Sequence, residues 1–132
     1  MYTEVMQELA AQIGSALGVS VVKGYPAWGR PNMSPPVVAL LADRIDLSDV
    51  GRIGVRPMAA TWRAIVFGRH EQEMLALAEA LIRWAYETRA VVVDGSEIPV
   101  QFLGGSRFMG ATGAQQEDYG FELAIQTMIQ EV

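Results

Sequence analysis

Residues 58–67 read Met-Ala-Ala-Thr-Trp-Arg-Ala-Ile-Val-Phe, and Gly68 ends the run. The length and the β-branched and aromatic content predict a strand. Alternation puts Trp62, Ala64 and Val66 on one face. Ile65 and Phe67 fall on the other, beside Arg63. A strand that is apolar on both sides needs cover on both sides. This run therefore sits inside a sheet, and both of its faces must be covered.

Downstream, residues 69–88 read as a long helix. Met74, Leu77, Ala78, Leu81, Trp84 and Ala85 make its main stripe, and Leu75, Ile82 and Tyr86 widen it. Gln72, Glu79, Arg83 and Glu87 form the wet face. Then Val91-Val92-Val93, Asp94-Gly95 and 98–103 read as a hairpin, because Asp-Gly between apolar runs is a strong turn signal. The segment from Gly104 to Gly113 reads as a loop. A final strand, 119–129, alternates: Tyr119, Phe121, Leu123, Ile125 and Ile129 face one way, and Glu122, Gln126 and Gln130 the other.

Upstream, residues 37–42 are Val-Val-Ala-Leu-Leu-Ala, apolar on both faces like 58–67. Residues 43–56, between these two runs, read as an extended connection or hairpin arm. Residues 24–36 hold four of the six prolines, which excludes a helix or an interior strand. A loop this long needs a reason. Either Tyr25 and Trp28 fold back onto the core, or the loop is a contact surface for another subunit. Residues 19–23 read as a short strand. Residues 4–17 read as an amphipathic helix, with Thr3 as its N-cap and Gly18 at its stop.

The order is α-β-β-β-α-β-β-β. Runs of strands interrupted by single helices predict an α+β domain spanning 1–132. The expected architecture is a mostly antiparallel sheet with two helices on one face and an extended β-hairpin arm. Two helices can cover one face of the sheet but hardly both. The expected cover for the other face is another copy of the chain; the alternative is that the arm or the Asp94-Gly95 hairpin folds over it. An exposed apolar patch usually marks association, and closed homo-oligomers are the default solution.

Composition narrows the chemistry. The 132 residues contain no cysteine and one histidine, His70, which excludes thiolate chemistry, disulfides and Cys- or His-rich metal sites. The net charge is −5 and Lys23 is the only lysine. With no basic run, tight sequence-independent DNA binding is not expected. No apolar stretch approaches the roughly 18 residues of a membrane span. The acidic, amphipathic N-terminus is unlike a signal peptide, so a cytosolic origin is expected.

Candidate catalytic constellations fail one by one. The glycine-rich segment 104–113 lacks the Gly-Lys-Ser/Thr ending of a phosphate loop and precedes a strand. His70, Glu71 and Glu73 open the long helix, where capping and the helix dipole account for them. Asp43, Asp46 and Asp49 lack the glycine and terminal glutamate of a calcium loop. The expectation is a protein with no enzymatic activity, cofactor or metal.

The layout resembles the tail terminator (tail-completion) proteins of long-tailed bacteriophages. The resemblance rests on the N-terminal helix and short strand, and on the Pro-rich segment before 37–42. It continues through Ala60-Thr61-Trp62-Arg63-Ala64-Ile65-Val66-Phe67, the helix Glu73-Met74-Leu75-Ala76-Leu77-Ala78-Glu79-Ala80-Leu81-Ile82, and the closing Tyr119-Gly120-Phe121-Glu122-Leu123-Ala124-Ile125. It implies a structural virion protein forming a ring, usually hexameric, at the head-proximal end of the tail tube. Its partners would be itself, the tail tube protein and a head-tail connector or neck protein. DNA would pass through the lumen without tight binding, no membrane would be involved, and assembly would take place in the host cytoplasm. A head-completion or stopper protein of the neck shares the same size and acidity; a small ligand-binding domain is the rival of a different class. The residues expected at interfaces are Tyr25, Trp28 and Arg30 in the Pro-rich loop, Ile45, Leu47, Ile53, Val55 and Arg56 in the arm, and Arg107 and Phe108 in the glycine-rich segment.

Overall fold

In a computed structural model, the structure describes residues 2–24, 34–47, 56–111 and 117–131, with backbone alone at 46–47, 56–58, 106–111, 117–119 and 130–131. The elements are α1 (Tyr2–Leu17), β1 (Ser20–Lys23), β2 (Val37–Leu47), β3 (Arg56–Gly68), α2 (Glu71–Glu87), β4 (Ala90–Val93), β5 (Ser96–Ala111) and β6 (Glu117–Glu131). The fold is α+β, as the element pattern predicts. The six strands form one curled sheet in the order β1-β2-β3-β6-β5-β4. Every neighbouring pair is antiparallel except β1 with β2.

β3 is central because it pairs on both sides. Trp62 lies opposite Ala42 of β2 and Ile125 of β6. One face of the sheet carries Val38, Leu40, Ala60, Trp62, Ala64, Val66, Leu123 and Ile125, all buried beneath the helices. From α1 come Val5, Leu9 and Ile13; from α2 come Met74, Leu77, Leu81 and Trp84. Each such large apolar side chain contributes roughly 1.5–3 kcal/mol when fully buried. α1 also touches both outer strands, β1 and β4, so the sheet curls around the helical layer. Gly18, at φ 68°, closes α1 by donating its N–H to the Gly14 carbonyl at 2.8 Å. Thr3 lies inside α1 instead of capping it, because the helix starts at Tyr2.

The second face of β2 and β3 corrects an expectation. Val37, Ala39, Leu41, Ile65 and Phe67 are at most 8% exposed in the single chain, with Val22 packed against them. A two-sided apolar strand pair does need cover on both faces, and here one chain supplies it without a second copy. Farther along the same face the surface turns polar, where Arg63 pairs with Glu122.

Two boundaries also move. Residues 43–47 are not a connection but the end of β2, in register with β3 as far as Leu47 opposite Met58. A bulge at Asp43 shifts that register. Because β6 flanks Met58 in turn, these residues belong to the main sheet. The rest of the expected arm, 48–55, lies outside the described residues. The segment from Gly104 to Gly113 is not a loop as far as Ala111, because β5 runs through it, paired with β6. Gly104 follows a bulge at Leu103 and has φ 146°. At Gly105 a Cβ would lie 2.7 Å from the Phe121 ring and 2.9 Å from the Glu122 carbonyl oxygen. These glycines permit a bulge and a close approach inside a strand.

One polar link crosses the core. The Trp62 indole N–H donates to Thr127 Oγ1 at 2.8 Å, and that hydroxyl donates to the Ala60 carbonyl at 3.4 Å. Thr127 is fully buried, yet its hydroxyl has both an incoming and an outgoing partner. Thr127→Val keeps the shape but strands the indole N–H, so it should lower unfolding free energy by about 1–3 kcal/mol in urea titration. Thr127→Ser, which keeps the hydroxyl, should lose less. Equal losses from both would show that the hydrogen bond contributes nothing.

Candidate interaction surface

Of the residues expected at interfaces, the described ones fall into two separate groups. Tyr25, Trp28, Arg30, Ile53 and Val55 lie outside the described residues. Ile45 is exposed and sits opposite Ala60, and Leu47 follows at the end of β2. Arg56 starts β3, opposite Glu131 of β6. Arg107 and Phe108 lie not at a loop tip but within β5, opposite Phe121 and Gly120. Followed across the ladders, Ile45 aligns with Ala60, Thr127 and Val100, whereas Arg107 aligns with Phe121, Val66 and Val38. The two groups therefore lie on opposite margins of the sheet and toward opposite ends of it.

Sequence reading placed Leu75 and Tyr86 in the buried stripe of α2, and the structure corrects this. They are 49% and 70% exposed. The helix meets the sheet through Met74, Leu77, Ala78, Leu81, Trp84 and Ala85, an arc that leaves Leu75 and Tyr86 on one flank. Tyr86 lies over β5, its ring 5.4 Å from that of Phe102 and tilted by 43°. Val92, Leu103 and Met128 are further exposed apolar side chains. Leu103 is the extra residue of the β5 bulge, and no period in the sequence marks it.

The start of α2 is a cap. The Glu73 backbone N–H donates to His70 Nδ1 at 3.2 Å, and the Arg69 backbone N–H donates to Glu73 Oε1 at 2.9 Å. This is a reciprocal arrangement of the capping-box kind, with the return bond reaching one residue farther back. Arg69 Nη2 also pairs with Glu73 Oε2 at 2.7 Å. Gly68 sets the geometry, because a Cβ there would stand 2.5 Å from the Met74 backbone nitrogen. His70 is thus the N-cap residue, occupied with a backbone amide.

Other polar features are modest. A shallow groove between α1 and α2 is lined by Ala11, Gln12, Ser15, Ala16, Trp84 and Thr88. Among the described residues no three His, Cys, Asp or Glu side chains are grouped to hold a metal ion. No helix among them is long and apolar enough to cross a membrane. Against known proteins, the chain matches no protein-family model and no curated protein at a significant level.

The Arg69 hydrogen bonds hold the Glu73 carboxyl down to about 2, from an ordinary value of 4.5. A depressed carboxyl stabilises the fold above its unfolded-state value, and that gain is lost as pH falls through the folded value. Glu73→Gln keeps an acceptor for the Arg69 N–H and removes only the charge. Its thermal midpoint should lie below that of the parent at pH 7, with the gap closing between about pH 4.5 and 2. A gap that persists at pH 2 would show that the ion pair is not its source.

Proposed function

We propose that this chain is a structural protein of a phage virion that assembles into a ring, hexameric on the family pattern, and caps the head-proximal end of a tail tube. In this reading the ring ends tube polymerisation and presents the surface to which the head or neck docks. The observation that carries the proposal is architectural. The order helix, strand, strand pair, helix, hairpin and closing strand is the layout on which the resemblance to tail terminator proteins rests, and the elements assemble into one curled α+β sheet. The role is mechanical and involves no reaction.

The physical features suit such a part. The apolar second face of β2 and β3 is already covered within the chain, so contacts between copies fall to strand margins, loops and the exposed flank of α2. A net charge of −5 with a single lysine gives DNA little to hold as it passes through a lumen.

Negative-stain microscopy and light scattering of the purified chain test the proposal. The expected result is closed rings with a mass several times that of one chain. Added rings should bind the ends of preformed tail tubes and halt their growth. A monodisperse monomer at high concentration, or rings that ignore tube ends, would overturn it. In a companion assay, duplex DNA should bind weakly at physiological salt. Micromolar, steeply salt-dependent binding would contradict the lumen role.

A further inference from the structure

Both margins of the sheet end in a long strand whose outer neighbour stops early. β4 flanks β5 only over 96–99, whereas β5 runs on to Ala111, paired with β6 on its inner side. The Val100 N–H still donates to the Arg89 carbonyl at 2.9 Å, and among the described residues no strand lies along the outer side of 101–111. At the other margin β1 flanks β2 only over 37–40, and β2 continues to Leu47, paired with β3 on its inner side. A strand margin presents backbone N–H and C=O groups that a second strand can satisfy.

The usual guards against such pairing are unevenly placed. Residues 101–111 contain no proline and a single charge, Arg107. Residues 41–47 carry Asp43, Arg44 and Asp46, two acids against one base, for a net −1 against the +1 of 101–111. Each margin also bears an exposed aliphatic side chain, Leu103 at 49% and Ile45 at 46%. The directions agree as well. β2, β3, β6 and β5 are successively antiparallel, so β5 runs opposite to β2. In a ring of like-oriented copies, β5 of one copy meets β2 of the next in the antiparallel sense.

We propose that the chain self-associates edge to edge, with 101–111 of β5 in one copy adding to the outer side of 41–47 of β2 in the next. The inference rests on the self-association in the ring reading and names the strands that make it. The two surfaces differ, so the contact is head to tail, and repetition closes a ring when the rotation allows. The partner is a second copy because, among the described residues, this chain presents both an open margin and an oppositely charged counterpart to it.

The absence of cysteine makes the test clean. Ile45→Cys and Leu103→Cys are made singly and together, checked by circular dichroism for retained fold, and treated with a short flexible bis-maleimide crosslinker, each thiol adding across one maleimide double bond. The double variant should give a ladder of covalent multimers up to ring size, and each single variant should give none. A covalent dimer from L103C alone would overturn the head-to-tail contact in favour of a two-fold β5 pairing. Oligomers in light scattering without a ladder would overturn the edge pairing while leaving the ring reading intact. A monomer in light scattering would overturn both.

Discussion

The fold is organised by the burial of β3 on both faces and its pairing along both edges. Trp62, Ala64 and Val66 require a helical layer on one side. Ile65 and Phe67 require cover on the other, beside Val37, Ala39 and Leu41 of β2. A sheet with one wet face would tolerate the helices alone. This one cannot, because exposing the second cluster would return several large apolar side chains to water, each at roughly 1.5–3 kcal/mol. The curl of the sheet around α1 and α2 follows from the same demand, since a curled sheet wraps more of its inner surface around the helices than a flat one.

Within that frame the polar groups are placed where they can be satisfied. Trp62 is the largest fully buried side chain, and its indole N–H must find a partner inside the core. Thr127 supplies it from the facing strand and passes its own hydrogen to Ala60. On the outer face, the half-buried Arg63 and Glu122 meet as an ion pair where the apolar cluster ends. At the surface, His70 and Glu73 close the first turn of α2. Gly68 allows the chain to turn there from β3 into the helix, because no side chain would fit above Met74.

Much of this was legible in the sequence. The alternation of 58–67 placed its residues on the correct faces, because a strand's period of two is rigid. The main stripe of α2 was equally clear. Errors arose where the deciding contact comes from elsewhere in the chain. Gly104 and Gly105 read as a loop because glycine is a breaker locally, whereas here Gly104 takes the positive φ that follows a bulge and the ring of Phe121 leaves no room for a side chain at Gly105 in a paired strand. Leu75 and Tyr86 read as buried because periodicity gives the centre of a helical stripe better than its width. The second face of β2 and β3 was correctly read as apolar, but no pattern tells whether the same chain or another one covers it. Of the expected interface residues, Ile45 is exposed, while Arg107 and Phe108 sit in a strand and not at a loop tip.

The location of the spare bonding capacity shapes how such a molecule can assemble. Association through an apolar face is driven by area and is weakly directional, so it specifies neither register nor rotation well. Association through a strand margin is directional, because backbone hydrogen bonds fix the strand direction and side-chain alternation fixes the register. A ring with a definite number of copies needs that directional control, since a small error in rotation turns closure into an open helix. Because the apolar clusters on the two faces of β2 and β3 are buried within the chain and the two strand margins are unlike, the proposed edge pairing is a repeated head-to-tail contact and not a symmetrical pair.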